Sequence, residues 1–199
     1  GKTPAEIREY FEALAGIARR PVIIQTWVNN RCPAPSVKML VELAEKHPDI
    51  YGWIKEESSS GNVADRIKAE VAAKPVIKTV FSAWGGWEWL FQNRQLGTEG
   101  LISERCAYAP LLSYIWKRME NGDADGTLAQ AYALYRLLID QRGFPGGLRG
   151  YSLYFLMKHG VFKNMVSRQY RNAKVGIAGT TGDASSWSLT NVKLNGDQL

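Results

Sequence analysis

One lysine stands where a strand could turn it into a nucleophile. Lys55 follows the apolar run Ile50-Tyr51-Gly52-Trp53-Ile54 and precedes the polar run Glu56-Glu57-Ser58-Ser59-Ser60-Gly61-Asn62. The stretch reads as a buried strand that ends on Lys55 and passes into a polar turn. Two-residue alternation places Tyr51, Trp53 and Lys55 on one face and Ile50, Gly52 and Ile54 on the other. A lysine at the mouth of such a strand has two uses. It is a solvated strand end, because Lys is almost never fully buried. Or it is an amine in an apolar pocket, where desolvation lowers its pKa. There it attacks a carbonyl as the free base and forms a Schiff base.

An amine of that kind needs a rigid frame, and the flanking sequence predicts one. Thr3-Pro4-Ala5-Glu6 is a helix start, with a capping Thr, Pro at the first helical position and Glu at the third. Ile7, Tyr10, Phe11, Leu14 and Ala18 recur at helical spacing until Pro21 ends the helix. Val22 to Val28 is an apolar strand, and a loop rich in Asn and Pro follows it. Ser36 caps a second helix running to about Lys46. His47-Pro48-Asp49 returns the chain to the strand that carries Lys55. A helix at about Val63 to Ala73, a strand at Val76 to Phe81 and a Gly85-Gly86 loop opening a helix at about Trp87 to Asn93 continue the rhythm. A strand at Gly100 to Ser103 and a helix at about Ala109 to Asn121 complete four β-α units. Such repetition implies a parallel sheet with right-handed crossovers. Two more helices, about Ala124 to Gln141 and Leu148 to His159, are separated by Gly143-Phe144-Pro145-Gly146-Gly147. The segment from Gly176 to Leu199 is poor in apolar residues and reads as loop, with a short terminal element at Leu189 to Leu194.

In parallel α/β folds the chemistry sits at the carboxyl ends of strands and in the loops beyond them. Those positions are Gln25 to Arg31, Lys55 to Ser58, Ser82 to Glu88 and Ser103 to Arg105. Lys55 is the only nucleophile among them with an apolar strand beneath it.

Composition narrows the field. The 199 residues are 45% hydrophobic and 22% charged, ordinary globular usage. The formal net charge is +6, but Lys and Arg are interspersed with Asp and Glu. The densest basic stretch, Lys163 to Lys174, carries no recognisable motif. Basicity of this kind suits an anionic small substrate, and no nucleic acid is expected as partner. Cys32 and Cys106 form neither a disulfide framework nor a zinc pattern and are expected to be buried free thiols in a reducing compartment. His47 and His159 fall at helix ends, so no metal is expected. No run approaches 18 apolar residues and no signal peptide is visible, which leads to the expectation of a cytoplasmic protein with no membrane partner. A glycine-rich nucleotide loop of Gly-x-Gly-x-x-Gly or Gly-x-x-x-x-Gly-Lys form is absent from the sequence.

Several stretches together resemble one family. IYGWIKEESSSGN, VFSAWGGWEWL, LGTEGLISERCAYAP and PVIIQTWVNNRCPAPSVKMLVELAEKHPDI are similar, with consistent spacing from about Thr3 to about His159, to the dihydrodipicolinate synthase and N-acetylneuraminate lyase family of class I pyruvate-dependent aldolases. The resemblance implies an α/β fold of the (β/α)8 TIM-barrel family. This chain would cover about the C-terminal half, strands five to eight, over residues 1–122. A C-terminal helical extension at 123–175 and a loop-rich tail at 176–199 would follow. Because four strands do not close a barrel, a longer parent chain, or association of two half-barrels, is expected.

The resemblance also implies chemistry. Lys55 would condense with the keto carbon of pyruvate or another 2-oxo acid, with an aldehyde as second substrate, and no cofactor beyond the covalent imine itself. Ile102 and Ser103 match the strand beside the lysine, and Gly85 and Glu88 match a loop that holds hydroxyls of the second substrate. Arg31 falls near an arginine that meets a substrate carboxylate, a role suited to a planar guanidinium. A solvated loop arginine and a first-turn helix glutamate are the structural alternatives for Arg31 and Glu88. A homo-oligomer, dimer or tetramer, is expected by the same likeness. Two departures stand out. Gln25 occupies the position of the family's proton-relay tyrosine, and an amide cannot relay a proton as a phenol does. Trp87 replaces an aspartate, and Trp84, Trp87 and Trp89 make that rim apolar. The competing reading is a barrel relative that has lost its chemistry and binds a 2-oxo acid or serves structurally.

Overall fold

The computed structural model describes residues 1–28, 32–58, 63–83, 90, 93–103, 106–123, 125–140 and 147–164. The chain divides into two compact units, Gly1–Glu104 and Arg105–Leu199.

The first unit opens with helix α1, Pro4–Ile17, whose start follows the local rule. Thr3 caps it and Glu6 reaches back to the Thr3 amide at 2.8 Å, completing a capping box. Strand β1, Ile23–Gln25, then leads to α2, Val37–Lys46, capped by Ser36 accepting from the Met39 amide. Strand β2 is Trp53–Glu56, helix α3 is Val63–Ala72 and strand β3 is Thr79–Ala83. A short helix α4, Asn93–Gln95, and strand β4, Gly100–Ile102, complete the unit. All neighbouring strands pair in parallel, in the spatial order β1-β2-β3-β4. Sequential order with crossovers of one hand places successive helices on the same face of a sheet.

The packing agrees. Ile24, Ile54 and Val80 from three strands form one core with Ile7 of α1 and Met39, Leu40, Leu43 and Ala44 of α2. The opposite face carries Ile23, Trp53, Lys55, Thr79 and Phe81, and Ile23 there is 47% exposed.

Three expectations need correction. Strand β1 is three residues long, not seven, and Trp27 beyond it is exposed. Strand β3 begins at Thr79 rather than Val76, because Ala73 to Ile77 still make helix-type turns. Tyr51 does not share a face with Lys55. Gly52 adopts φ +120°, outside the extended conformation, so alternation restarts after it. Tyr51 therefore lies fully buried on the helix side, its hydroxyl donating to the Phe11 carbonyl at 2.6 Å, and burial pushes that phenol up to about 12.

The second unit contains a 3-10 turn at Cys106–Tyr108, then α5, Ala109–Asn121, α6, Thr127–Ile139, and α7, Gly147–Lys158. Tyr108, Ile115 and Tyr135 are buried within it, and the Tyr108 ring meets Phe155 edge-on at 5.1 Å. Helix α5, the last helix of the four β-α units read from sequence, belongs to this unit by its contacts. Neither cysteine is buried: Cys32 is half-buried and Cys106 exposed, since Ala107 and Tyr108 take the inward positions of their turn. Among the described residues no helix is long and apolar enough to cross a membrane. The helix expected at about 87–93 falls mostly outside the described residues, and the segment 176–199 falls entirely outside them.

Candidate active site

Lys55 sits one residue before the end of β2, an inner strand of the sheet, on the face opposite the helices. Registered residues in parallel strands point the same way. Gln25 of β1, Lys55 of β2, Phe81 of β3 and Gly100 of β4 therefore form one row across the sheet. Gly100 is required by its neighbour: a Cβ there would lie 2.9 Å from Cδ1 of Phe81. Ala83 and Ile102 make the next row toward the carboxyl ends.

Among the described residues the Lys55 amine faces a carboxylate. The lysine side chain is 13% exposed, and its Nζ lies 3.1 Å from Oε2 of Glu57, itself 7% exposed. Gln25 donates to that same oxygen from Nε2 at 2.5 Å. The backbone is clamped to match. The Thr26 amide donates to the Lys55 carbonyl at 3.1 Å, and the Thr26 hydroxyl accepts the Glu57 amide at 2.7 Å. The strand runs one residue past Lys55, so Glu56 points into the helix side and Glu57 returns to the face of the lysine.

Behind the strand lies a second polar group. Glu56, fully buried, accepts from the Ser58 amide at 2.7 Å, from the Ser58 hydroxyl, and from Nε of Arg66 at 3.2 Å. Arg66 also donates to Pro35 O at 3.0 Å and to Glu70 Oε1 at 3.4 Å. Burial acts against the charge of Glu56, but hydrogen bonds from Glu70 and Ser58 and the Arg66 charge outweigh it and hold the carboxyl below its usual range. Glu70 moves the other way. Burial first, then the charge of Glu56 and the hydrogen bond to it, push Glu70 up to about 9 against the pull of Arg66. Among the described residues the buried Glu70 Oε2 atom has no hydrogen-bond partner, an environment that suits an uncharged carboxyl better than a carboxylate. The cluster is thus one arginine, one carboxylate and one carboxylic acid. It ties α3 and the loop before α2 to the strand end that bears Lys55.

Of the residues expected at the site, the structure brings Lys55 and Gln25 together, while Ile102 ends β4 one row further on and Ser103 follows it. Arg31, Gly85 and Glu88 lie outside the described residues, as do Trp84, Trp87 and Trp89. Sequence reading included Glu57 and Thr26 among the strand-end positions but gave neither a role. The signal for Glu57 was present, since alternation continued past Lys55 returns that residue to the same face. Reading the strand as ended at Lys55 hid it. Among the described residues no group of three or more His, Cys, Asp or Glu is placed to hold a metal ion.

The fold has a counterpart among solved structures. The chain is similar to a protein provisionally assigned to the dihydrodipicolinate synthase family, from Coccidioides immitis, with a TM-score of 0.62 and 21% identity. The likeness is one of fold. It covers 85% of this chain and 54% of the other, so the chain spans about half the length of that protein. No family model matches the sequence, and no curated protein matches it. The mixed α/β architecture with a four-stranded parallel sheet is accordingly a fold shared with part of that protein.

Proposed function

We propose that the four strands are one arc of a (β/α)8 barrel and that the protein is a Schiff-base-forming lyase or synthase acting on pyruvate or another 2-oxo acid through Lys55. The observation that carries this reading is the position of the lysine. It lies near the carboxyl end of an inner parallel strand, on the face away from the helices, with little solvent exposure. That is where barrel enzymes place catalytic groups. Sequential strand order with helices on one face supports the barrel arc, since doubly wound sheets reverse their order and cover both faces. In this reading the Lys55 amine attacks the keto carbon and water leaves. The protonated imine then draws electron density from the adjacent carbon, stabilising the enamine in which a carbon–carbon bond forms or breaks. Arg31 is proposed for the substrate carboxylate, and Gly85, Glu88, Ile102 and Ser103 for the remainder of the substrates. The imine is the only electrophile this scheme requires.

One observation favours the second reading, a barrel relative that binds without chemistry. Lys55 is held in an ion pair with Glu57, as a purely structural lysine would be. The test is borohydride reduction of the whole natural chain in the presence of pyruvate, read by peptide mass spectrometry, with Lys55→Ala as control. A reduced adduct on the peptide bearing Lys55, absent in the variant, is expected. Absence of any adduct with pyruvate and a panel of other 2-oxo acids would move the protein to the binding reading.

A further inference from the structure

We infer that Glu57 is the proton-transfer residue of the Lys55 reaction, held on the lysine nitrogen by Gln25 and Thr26. The inference rests on the imine reading above and names the group that moves its protons. Gln25 occupies the neighbouring strand position in register with Lys55, and an amide neither gives up nor takes a proton at neutral pH. The carboxylate it touches can accept a proton from the amine and then hand it on. Glu57 Oε2 stands 3.1 Å from Lys55 Nζ, within direct proton-transfer distance, and 2.5 Å from Gln25 Nε2. Gln25 thus orients the carboxylate, and the Thr26 hydroxyl fixes the Glu57 backbone at 2.7 Å.

The proton balance closes on these groups alone. Lys55 begins with three protons on nitrogen and ends, as the protonated imine, with one. The departing keto oxygen needs two protons to leave as water. Glu57 takes the first from the ammonium, freeing the lone pair that forms the carbon–nitrogen bond, and gives it to the alkoxide of the tetrahedral adduct. It then takes the second from the adduct nitrogen and gives it to the hydroxyl as the carbon–oxygen bond breaks. The carboxylate is restored, and no outside acid or base is consumed.

The experiment times borohydride trapping of pyruvate on the whole natural chain, its Glu57→Gln and Glu57→Ala variants, and Lys55→Ala. General acid–base groups contribute ~10²–10⁴-fold, so Glu57→Gln is expected to slow adduct formation by at least about 100-fold while the adduct still forms on Lys55. Added formate is expected to restore part of the rate in Glu57→Ala and to leave the natural protein unchanged, which a packing role for Glu57 could not produce. Equal trapping rates in the natural protein and Glu57→Gln would overturn the inference and leave the imine reading standing. So would slowed variants that formate fails to restore. No adduct in the natural protein would overturn both.

Discussion

Glu70 makes a measurable claim about stability. It is buried against Glu56 and Arg66, and its carboxyl is pushed up from 4.5 to about 9 in the folded protein. The unfolded chain releases that proton near the ordinary value, so across this interval the folded state binds one proton more than the unfolded state. Stability from Glu70 is therefore complete below about pH 4.5 and is lost as pH rises through about 9. One proton sets the slope at about 1.4 kcal/mol per pH unit. Between pH 6 and pH 8 the loss is on the order of 3 kcal/mol. Glu56, held low, works in the opposite sense, and its contribution disappears only as pH falls below the ordinary carboxylate range. The two effects occupy separate pH ranges. Glu70→Gln keeps an N–H donor for Glu56 and cannot ionise, so it removes the slope without removing the contact. Five of the seven tryptophans lie in the first unit, which contains the cluster, so their fluorescence reports its unfolding. Urea denaturation at several pH values between 5.5 and 8.5, for both proteins, isolates the Glu70 contribution as the difference between slopes. Every other titrating group cancels. Parallel stability curves for the two proteins would refute the shared-proton account of this cluster.

Two other substitutions test the frame around the site. Arg66→Met leaves two buried carboxyl groups without their cation and is expected to cost about 3–5 kcal/mol, read as a fall in the urea midpoint; a midpoint unchanged from the natural protein would show the cation to be dispensable. Gly52→Ala places a Cβ 3.0 Å from the Val76 carbonyl at φ +120°, and backbone strain of that type costs about 1–3 kcal/mol. It should lower the thermal midpoint and also slow trapping at Lys55, three residues further along the chain, whereas an unchanged midpoint would mean that the turn before β2 relaxes freely.

Local chemistry was legible along the chain. The Thr3-Pro4-Glu6 start and the Ser36 cap are satisfied by backbone amides within three residues, so nothing distant can overrule them. The alternation of short apolar strands with amphipathic helices likewise dictated a parallel sheet and placed Lys55 near a strand end, because burying one stripe of each helix leaves few other arrangements. What tertiary structure decided are contacts between residues far apart in sequence. Tyr51 turns to the helices because Gly52 takes a conformation that the identity Gly permits but does not require. Glu70 lies on an amphipathic helix, where acids ordinarily face water, yet it is buried because Glu56 and Arg66 meet it behind β2. Glu57 reaches the lysine because Gln25 and Thr26, some thirty positions earlier, arrive beside it only when β1 and β2 pair. Residue type and local spacing determine where a strand ends; which charges that strand end then faces depends on the pairing of distant segments.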